Sequence, residues 1–327
     1  MKEQLITNKI LNWYDINKRS LPWRKKTSAK KKEYYTLVSE FMLQQTQIAT
    51  VIPYFNRFIK YIPDLESLAR FDNQKLIKLW EGLGYYSRVR NLKKTAQIII
   101  KNFNRKLPDN FLDLKSLPGI GDYTACAISA IAFNKPLIPL DGNIERVLKR
   151  YLYLKNKNQI LKENLIKQKK FLGTSKRSSD YAQALMELGA LICKPNNPYC
   201  GKCPISKKCK SFAKNDFVLT KIQKKNKDKY FLLKIYKKSN KYLLVKNTKF
   251  NFLKNFHIFP MQELIKPKNF NQNLNFKMSN MNMNIKVKFN KIDGIIPHSY
   301  WIDPKKIKNY TLPTFTKKIF RYLENYK

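Results

Sequence analysis

No stretch of this chain approaches 18 uncharged apolar residues. Its first twenty residues, MKEQLITNKILNWYDINKRS, scatter charge through their apolar positions and offer no small-residue cleavage site. The first absence argues against a membrane-spanning helix and the second against a secretory leader, so the chain reads as cytoplasmic with no membrane partner. Cysteine is sparse and odd in number, five in all. In a reducing compartment that count argues against a disulfide framework. Acidic residues are few: 22 Asp and Glu face 66 Lys and Arg, a formal net charge of +44. Such an imbalance favours an extended polyanion, nucleic acid ahead of a membrane surface, because each cation near a phosphate releases counterions. The competing reading is an A/T-rich coding sequence, which enriches Lys, Asn and Ile and would explain about half of the excess, so charge alone does not decide the partner.

What is present is enough to fold. A length of 327 residues, 43% hydrophobic and 13% aromatic, supports one large domain or two ordinary ones. Four of the five cysteines fall in one stretch, CKPNNPYCGKCPISKKC, as Cys193, Cys200, Cys203 and Cys209. Four thiolates from a loop of Pro, Asn and Gly turn formers suit either tetrahedral zinc or an iron–sulfur cluster. Cys126, in the small-residue run YTACAISAIAF, reads as a packed helix residue.

Four other stretches bear on chemistry. In SLPGIGDYTACAISA, Pro118, Gly119 and Gly121 form a tight turn before an apolar helical pattern. Its backbone N–H groups suit a DNA backbone phosphate, and equally a plain helix connection. In LDGNIERVLKR, Asp141 and Asn143 open another helix, with Asp141 as a natural N-cap. YTLVSEFMLQQTQIATVIPYF reads as one helix with Leu37, Phe41 and Ile48 toward the core and Glu40 between Val38 and Phe41. That carboxylate is either on the solvent face or in a partly apolar pocket with a raised pKa, as a general acid requires. LWEGLGYYSRVRNL sets two tyrosines and two arginines around a Gly-x-Gly turn, which suits stacking on bases or packing over a helix end.

In the order LPWR, VSEFMLQQTQ, GLGYYSRVRNL, LPGIGDYTA, LDGN, ALMELGALIC and the four-cysteine loop, residues 5 to 213 resemble the MutY-type adenine DNA glycosylases of the helix-hairpin-helix superfamily. The resemblance implies an all-α helix-hairpin-helix glycosylase domain over 1–213, with the hairpin at about 112–134. It implies a 4Fe-4S cluster on Cys193, Cys200, Cys203 and Cys209, whose basic loop presses on the DNA backbone, and demotes zinc. Endonuclease III, a relative, is the rival. Its bifunctional relatives carry a Schiff-base lysine two residues after the last hairpin glycine, where this chain has Tyr123. They also resemble VDTH where this chain reads LDGN. Both differences point to a monofunctional glycosylase.

Adenine leaves poorly as an anion, so cleavage of its N-glycosidic bond needs a proton on the base and a charge beside an oxocarbenium-like sugar. By resemblance Glu40 protonates adenine at N7 and Asp141 stabilises or captures the sugar cation, with Asn143 and Tyr123 orienting the pair. The flipped base would enter a pocket of Arg19, Trp23, Arg24, Leu43 and Gln183, with Gln45 and Tyr85 near the partner base and Gly119 and Gly121 on the backbone. The partner is then double-stranded DNA with adenine opposite 8-oxoguanine or guanine, bound by a monomer in the nucleoid. Two features depart from the family pattern. The segment KKTSAKKKEYYTLVS is longer than expected, and its lysine run reads as a solvated loop. Glu145 stands where some members carry Lys.

Composition shifts beyond Ala213. A basic linker spans 214–228, and YFLLKIYKKSNKYLLVKN reads as two strands about a Lys-Ser-Asn turn. Residues 229–327, with FHIFP, KIDGIIPHSYWID and TLPTFTKKIFRYLENYK, loosely resemble the small α/β Nudix-like C-terminal domain that reads 8-oxoguanine in this family. No Nudix catalytic acidic motif is visible, so no hydrolase activity is assigned there. NFNQNLNFKMSNMNMNIKVKF reads as a loose loop before a strand. His298, Ser299 and Tyr300 are the candidate lesion readers, because Ile296 and Pro297 stand where the family resembles Phe-Ser.

Overall fold

The computed structural model describes residues 2–154, 172, 175–218, 226–267, 269–278, 280–291, 294 and 296–325. The chain divides into two compact units, one of residues 1–72 with 87–221 and the other of 73–86 with 222–327. Residues 73–86, expected within the helical part, therefore belong with the C-terminal unit. The expected linker over 214–228 lies partly outside the described residues, which omit 219–225.

The first unit is helical: α1 (Lys2–Asn17), α2 (Ala29–Leu43), α3 (Ile48–Tyr61), α4 (Leu65–Arg70), α6 (Ser87–Asn102), α7 (Phe111–Ser116), α8 (Asp122–Phe133), α9 (Gly142–Leu152), α10 (Ser178–Glu187) and the short α11 (Lys210–Ala213). Helix α5 (Asn73–Leu79) is in the other unit. On α2, Leu37, Val38 and Phe41 are fully buried. The stretch read as one long helix is broken between α2 and α3, where Gln45 turns back with φ 58°. Buried Arg88 fixes that break by donating from Nη1 to the carbonyls of Phe41, Met42 and Gln44, satisfying groups a helix C-terminus leaves open.

The lysine run also departs from expectation. Ser28 caps α2 by accepting the Lys31 N–H, so Lys30, Lys31 and Lys32 form a first helical turn. In the hairpin, Gly119 adopts φ 81°, and a Cβ there would lie 2.9 Å from both Asn91 Cβ and Phe41 Cε1. Only glycine fits this turn. The carbonyl of Pro118 accepts Thr95 Oγ1 at 2.9 Å, tying the hairpin to α6.

In the second unit one sheet has the order β5 (Met261–Leu264), β1 (Lys227–Ile235), β7 (Met281–Phe289), β6 (Leu274–Met278), with β1 and β7 parallel. The other joins β2 (Lys237–Lys238), β3 (Lys241–Lys246) and β4 (His257–Ile258), with β8 (Ser299–Ile302) also on β3. The two strands read as a hairpin, β1 and β3, thus sit in different sheets; only the short β2 pairs with β3 across the turn. In the segment read as a loose loop before a strand, that strand is β7, and part of the expected loop is a second strand, β6, paired antiparallel with it. Its inward Met283 and Ile285 are fully buried, while Asn275 donates to Asn284 and Asn282 to Asp228 on the other face. Helix α12 (Thr314–Asn325) closes this core through Phe315, Ile319 and Phe320. Fully burying each such side chain contributes roughly 1.5–3 kcal/mol. Segment 73–86 joins the unit through Glu81, which accepts Lys78 and Lys317, and through Tyr86 against Phe256 with ring centroids 4.4 Å apart.

Candidate active site

A cavity of about 900 Å³ opens in the helical unit between the α1–α2 segment, α8, α9 and α10. Its wall brings together Arg19, Trp23, Arg24, Glu40, Leu43, Tyr123, Asp141, Asn143 and Gln183. Gln45 is exposed outside that wall, and Tyr85, 46% exposed with φ 45°, lies in the other unit.

Helix α2 carries Glu40 near its last turn and buries it, leaving 5% exposed. Burial pushes its pKa up to about 7; a hydrogen bond from Tyr123 and the charge of Arg24 oppose the shift, while Asp141 reinforces it. Tyr123, in the first turn of α8, is held well above the usual phenol value by burial and by the carboxylates of Glu40 and Asp141. It acts as a neutral donor to Glu40.

Asp141 is the N-cap of α9, accepting the Ile144 N–H at 2.7 Å through Oδ1. Its Oδ2 accepts Asn143 Nδ2 at 2.8 Å. Burial raises its pKa, and these donors hold part of that rise back. Both carboxyl groups are desolvated, but to different effect: Glu40 has its pKa pushed to about 7, whereas the donors around Asp141 offset part of its rise and favour its charged form.

Behind Asn143 stands Arg146, whose Nη2 donates to Asn143 Oδ1 at 2.9 Å and to the Gly189 carbonyl at 2.7 Å, while Nε donates to the Cys193 carbonyl at 2.7 Å. Gly189 lies in a π-helical turn over Leu188–Ile192 that continues α10. Glu187, which no sequence motif singles out, ends α10. It is fully buried and accepts Arg19 at 2.7 and 2.9 Å and Arg24 at 2.9 Å. Burial alone would raise its pKa, but the two guanidinium groups hold it below the ordinary carboxylate value. The available signal was an acid inside the apolar run ALMELGALIC, paired with the upstream arginines of KRSLPWR. Glu145, which stands where some members of the resembled family carry Lys, accepts Lys149 at 2.6 Å one turn along α9.

The four-cysteine loop follows the π-turn. Cys193, Cys203 and Cys209 pack against the core formed by α1, α9 and α10. Burial raises the Cys203 thiol to about 12, and the charges of Cys193, Cys209 and Cys200 push the same way, so the four sulfurs sense one another. Among the described residues, no three His, Cys, Asp or Glu side chains converge as ligands of a metal ion. Arg150 is 3% exposed and puts Nη1 3.5 Å from Cys193 Sγ. It also donates to the carbonyls of Lys194, Pro195 and Phe217. A buried cation against Cys193 Sγ, in a loop that offers four soft sulfur donors, fits a thiolate-held iron–sulfur group of net negative charge.

In the C-terminal unit, His298 has φ 53°, Ser299 opens β8, and Tyr300 is 53% exposed. The Tyr300 ring stands edge-on to His257, centroids 4.6 Å apart. No helix among the described residues is long and apolar enough to cross a membrane.

Residues 38–170 match the family model of the HhH-GPD superfamily base excision DNA repair proteins. The chain is 40% identical over 245 residues to an adenine DNA glycosylase of Buchnera aphidicola subsp. Baizongia pistaciae, covering 75% of this chain and 64% of that one. It is 37% identical over 260 residues to that of Buchnera aphidicola subsp. Schizaphis graminum, covering 77% of this chain and 73% of the relative. Among solved structures, a thermostable thymine-DNA glycosylase superposes with a TM-score of 0.57 at 27% identity, over 65% of this chain and 97% of that one. With the hairpin, the paired carboxylates and the four-cysteine loop in one unit, these likenesses show that the chain belongs to the adenine DNA glycosylase family of the HhH-GPD superfamily.

Proposed function

We propose that the protein is a monofunctional DNA glycosylase that excises adenine opposite 8-oxoguanine or guanine from double-stranded DNA in base excision repair. The observation that carries this reading is the pairing of Glu40, with its pKa near 7, and the donor-held Asp141 in one cavity. The target nucleotide leaves the base stack and places adenine in the pocket. Glu40 donates its proton to N7, so the base departs as neutral adenine while the C1′–N9 bond breaks. Asp141 meets the positive charge left on the sugar, and water adds at C1′ to give an abasic site. Tyr123 holds Glu40, Asn143 holds Asp141, and Trp23, Leu43 and Gln183 flank the base.

A lyase step needs an amine at C1′. Position 123 is a tyrosine whose hydroxyl is engaged with Glu40, which disfavours the bifunctional reading. Gly119 and Gly121 present the hairpin to a phosphate, and Cys193, Cys200, Cys203 and Cys209 would hold a 4Fe-4S cluster that organises their basic loop. The C-terminal unit acts as the Nudix-like reader of the opposite base, through His298, Ser299 and Tyr300 on β8.

The test is a duplex with adenine opposite 8-oxoguanine, incubated with purified protein and then treated with alkali. Strand breaks that form only after alkali support the reading. Breaks before alkali would turn it toward the lyase, and no breaks at all would end it. Asp141→Asn, which keeps an N-cap side chain, is expected to bind this duplex yet excise on the order of a hundredfold more slowly.

A further inference from the structure

The lysine run between LPWR and Glu40 borders the same cavity. Lys25, Lys26 and Lys32 line its edge together with Lys18. These lysines stand on an ordered segment. Leu21 is buried, the Arg24 N–H donates to the Leu21 carbonyl at 2.9 Å, and Trp23 meets Phe55 edge-on with centroids 5.3 Å apart. The segment then enters α2 through the Lys32 N–H to Ser28 carbonyl bond of 2.9 Å.

Among the described residues, the charge of Lys25, Lys26 and Lys32 meets no carboxylate free to balance it. The wall contains four carboxylates, and each is committed: Glu40 and Asp141 to the donors described above, Glu187 to Arg19 and Arg24, and Asp180 to Arg177 at 2.7 Å. Lys30 pairs with Glu66 at 3.3 Å, but among the described residues no carboxylate pairs with Lys25, Lys26 or Lys32. The first turn of α2 also contains no acid, so its cations sit at the helix end whose dipole disfavours them. An external anion relieves both effects.

We infer that Lys25, Lys26 and Lys32 form a phosphate-binding rim that grips the backbone of the strand whose nucleotide enters the cavity. The inference rests on the glycosylase reading: with the base inside and the sugar at Asp141, the adjoining phosphates must pass over the cavity mouth. The rim then anchors the strand beside the extruded nucleotide, in addition to any contact made by the hairpin or the cysteine loop.

The experiment measures equilibrium binding of the full-length protein to a duplex bearing a tetrahydrofuran abasic analogue opposite guanine, across a series of salt concentrations. The combined Lys25→Gln, Lys26→Gln, Lys32→Gln variant is expected to flatten the dependence of log K on log salt by roughly 0.9 per lost phosphate contact, about 2 to 3 in all. Affinity near 0.1 M salt should fall at least tenfold. A control variant replaces Lys277, Lys286 and Lys288, exposed on the C-terminal sheet, with Gln. It removes the same charge and is expected to change the slope far less. An unchanged slope in the rim variant, or an equal drop in the control, overturns the inference. If the triple variant does not fold, the three single variants carry the same test, each losing about 0.9. Failure of the rim leaves adenine excision by the unmodified protein intact, whereas failure of the glycosylase reading removes that excision whatever the slopes.

Discussion

A Cβ placed on Gly189 would lie 2.6 Å from the Cβ of Asn143 and 2.9 Å from its backbone oxygen. The π-turn after α10 and the first turn of α9 therefore touch through a hydrogen atom, at the residue whose Nδ2 donates to Asp141 at 2.8 Å. Gly189→Ala is expected to push Asn143 away, costing about 1–3 kcal/mol in stability through overpacking. Excision should fall ten- to hundredfold, because small displacements of a positioned group are costly. Single-turnover kinetics and thermal unfolding check this; full activity would show that Asn143 does not position Asp141.

Glu40 ties activity to pH. If the protonated carboxyl is the acid, excision is level on the acid side of its pKa near 7 and declines about tenfold per pH unit on the alkaline side. A rate independent of pH between 6 and 9 would remove Glu40 from that role.

The same group ties stability to pH with a definite sign. Its folded pKa lies above the unfolded value of 4.5, so between 4.5 and 7 the folded chain holds the proton more tightly. Stability therefore falls as pH rises through this window, by up to about 3 kcal/mol. Glu40→Gln, which never ionises, should unfold at a higher temperature than the unmodified protein at pH 8, with the advantage gone below pH 4.5. Unfolding scans at the two pH values measure the difference.

Glu187→Gln keeps the shape of its side chain but leaves the guanidinium groups of Arg19 and Arg24 without a carboxylate. Removing one partner of a fully buried pair costs about 3–5 kcal/mol. Here the Arg19 side chain is 34% exposed, so solvent screens part of the loss and about 1–3 kcal/mol is expected. Denaturant titration reads it directly, and a neutral result would mean the clamp contributes nothing to the fold.

If the four-cysteine loop holds a 4Fe-4S group, protein purified without oxygen is brown, with about four irons per chain. Cys200→Ser or Cys203→Ser should lose that iron and weaken DNA binding, because loop and cluster form together. Cys126→Ser, within α8, should retain it. Stoichiometric zinc in place of iron would refute the assignment.

The sequence by itself determined the local features. The glycine pair made the hairpin turn legible because backbone conformation at Gly119 is a property of that residue and its neighbours. Four cysteines within seventeen positions marked a ligand loop for the same reason. Periodicity showed that Leu37 and Phe41 face inward, but it left Glu40 between solvent and pocket. Only the tertiary structure decided that point, because burial of Glu40 depends on α8 and α9, which lie about a hundred residues later. Distance along the chain likewise hid Glu187, whose partners Arg19 and Arg24 are 168 and 163 positions away. In the C-terminal unit, alternation located the strands but not their sheets. The separation of β1 from β3 and the parallel pairing of β1 with β7 arise from which apolar faces meet around α12, a choice that strand pattern alone does not encode.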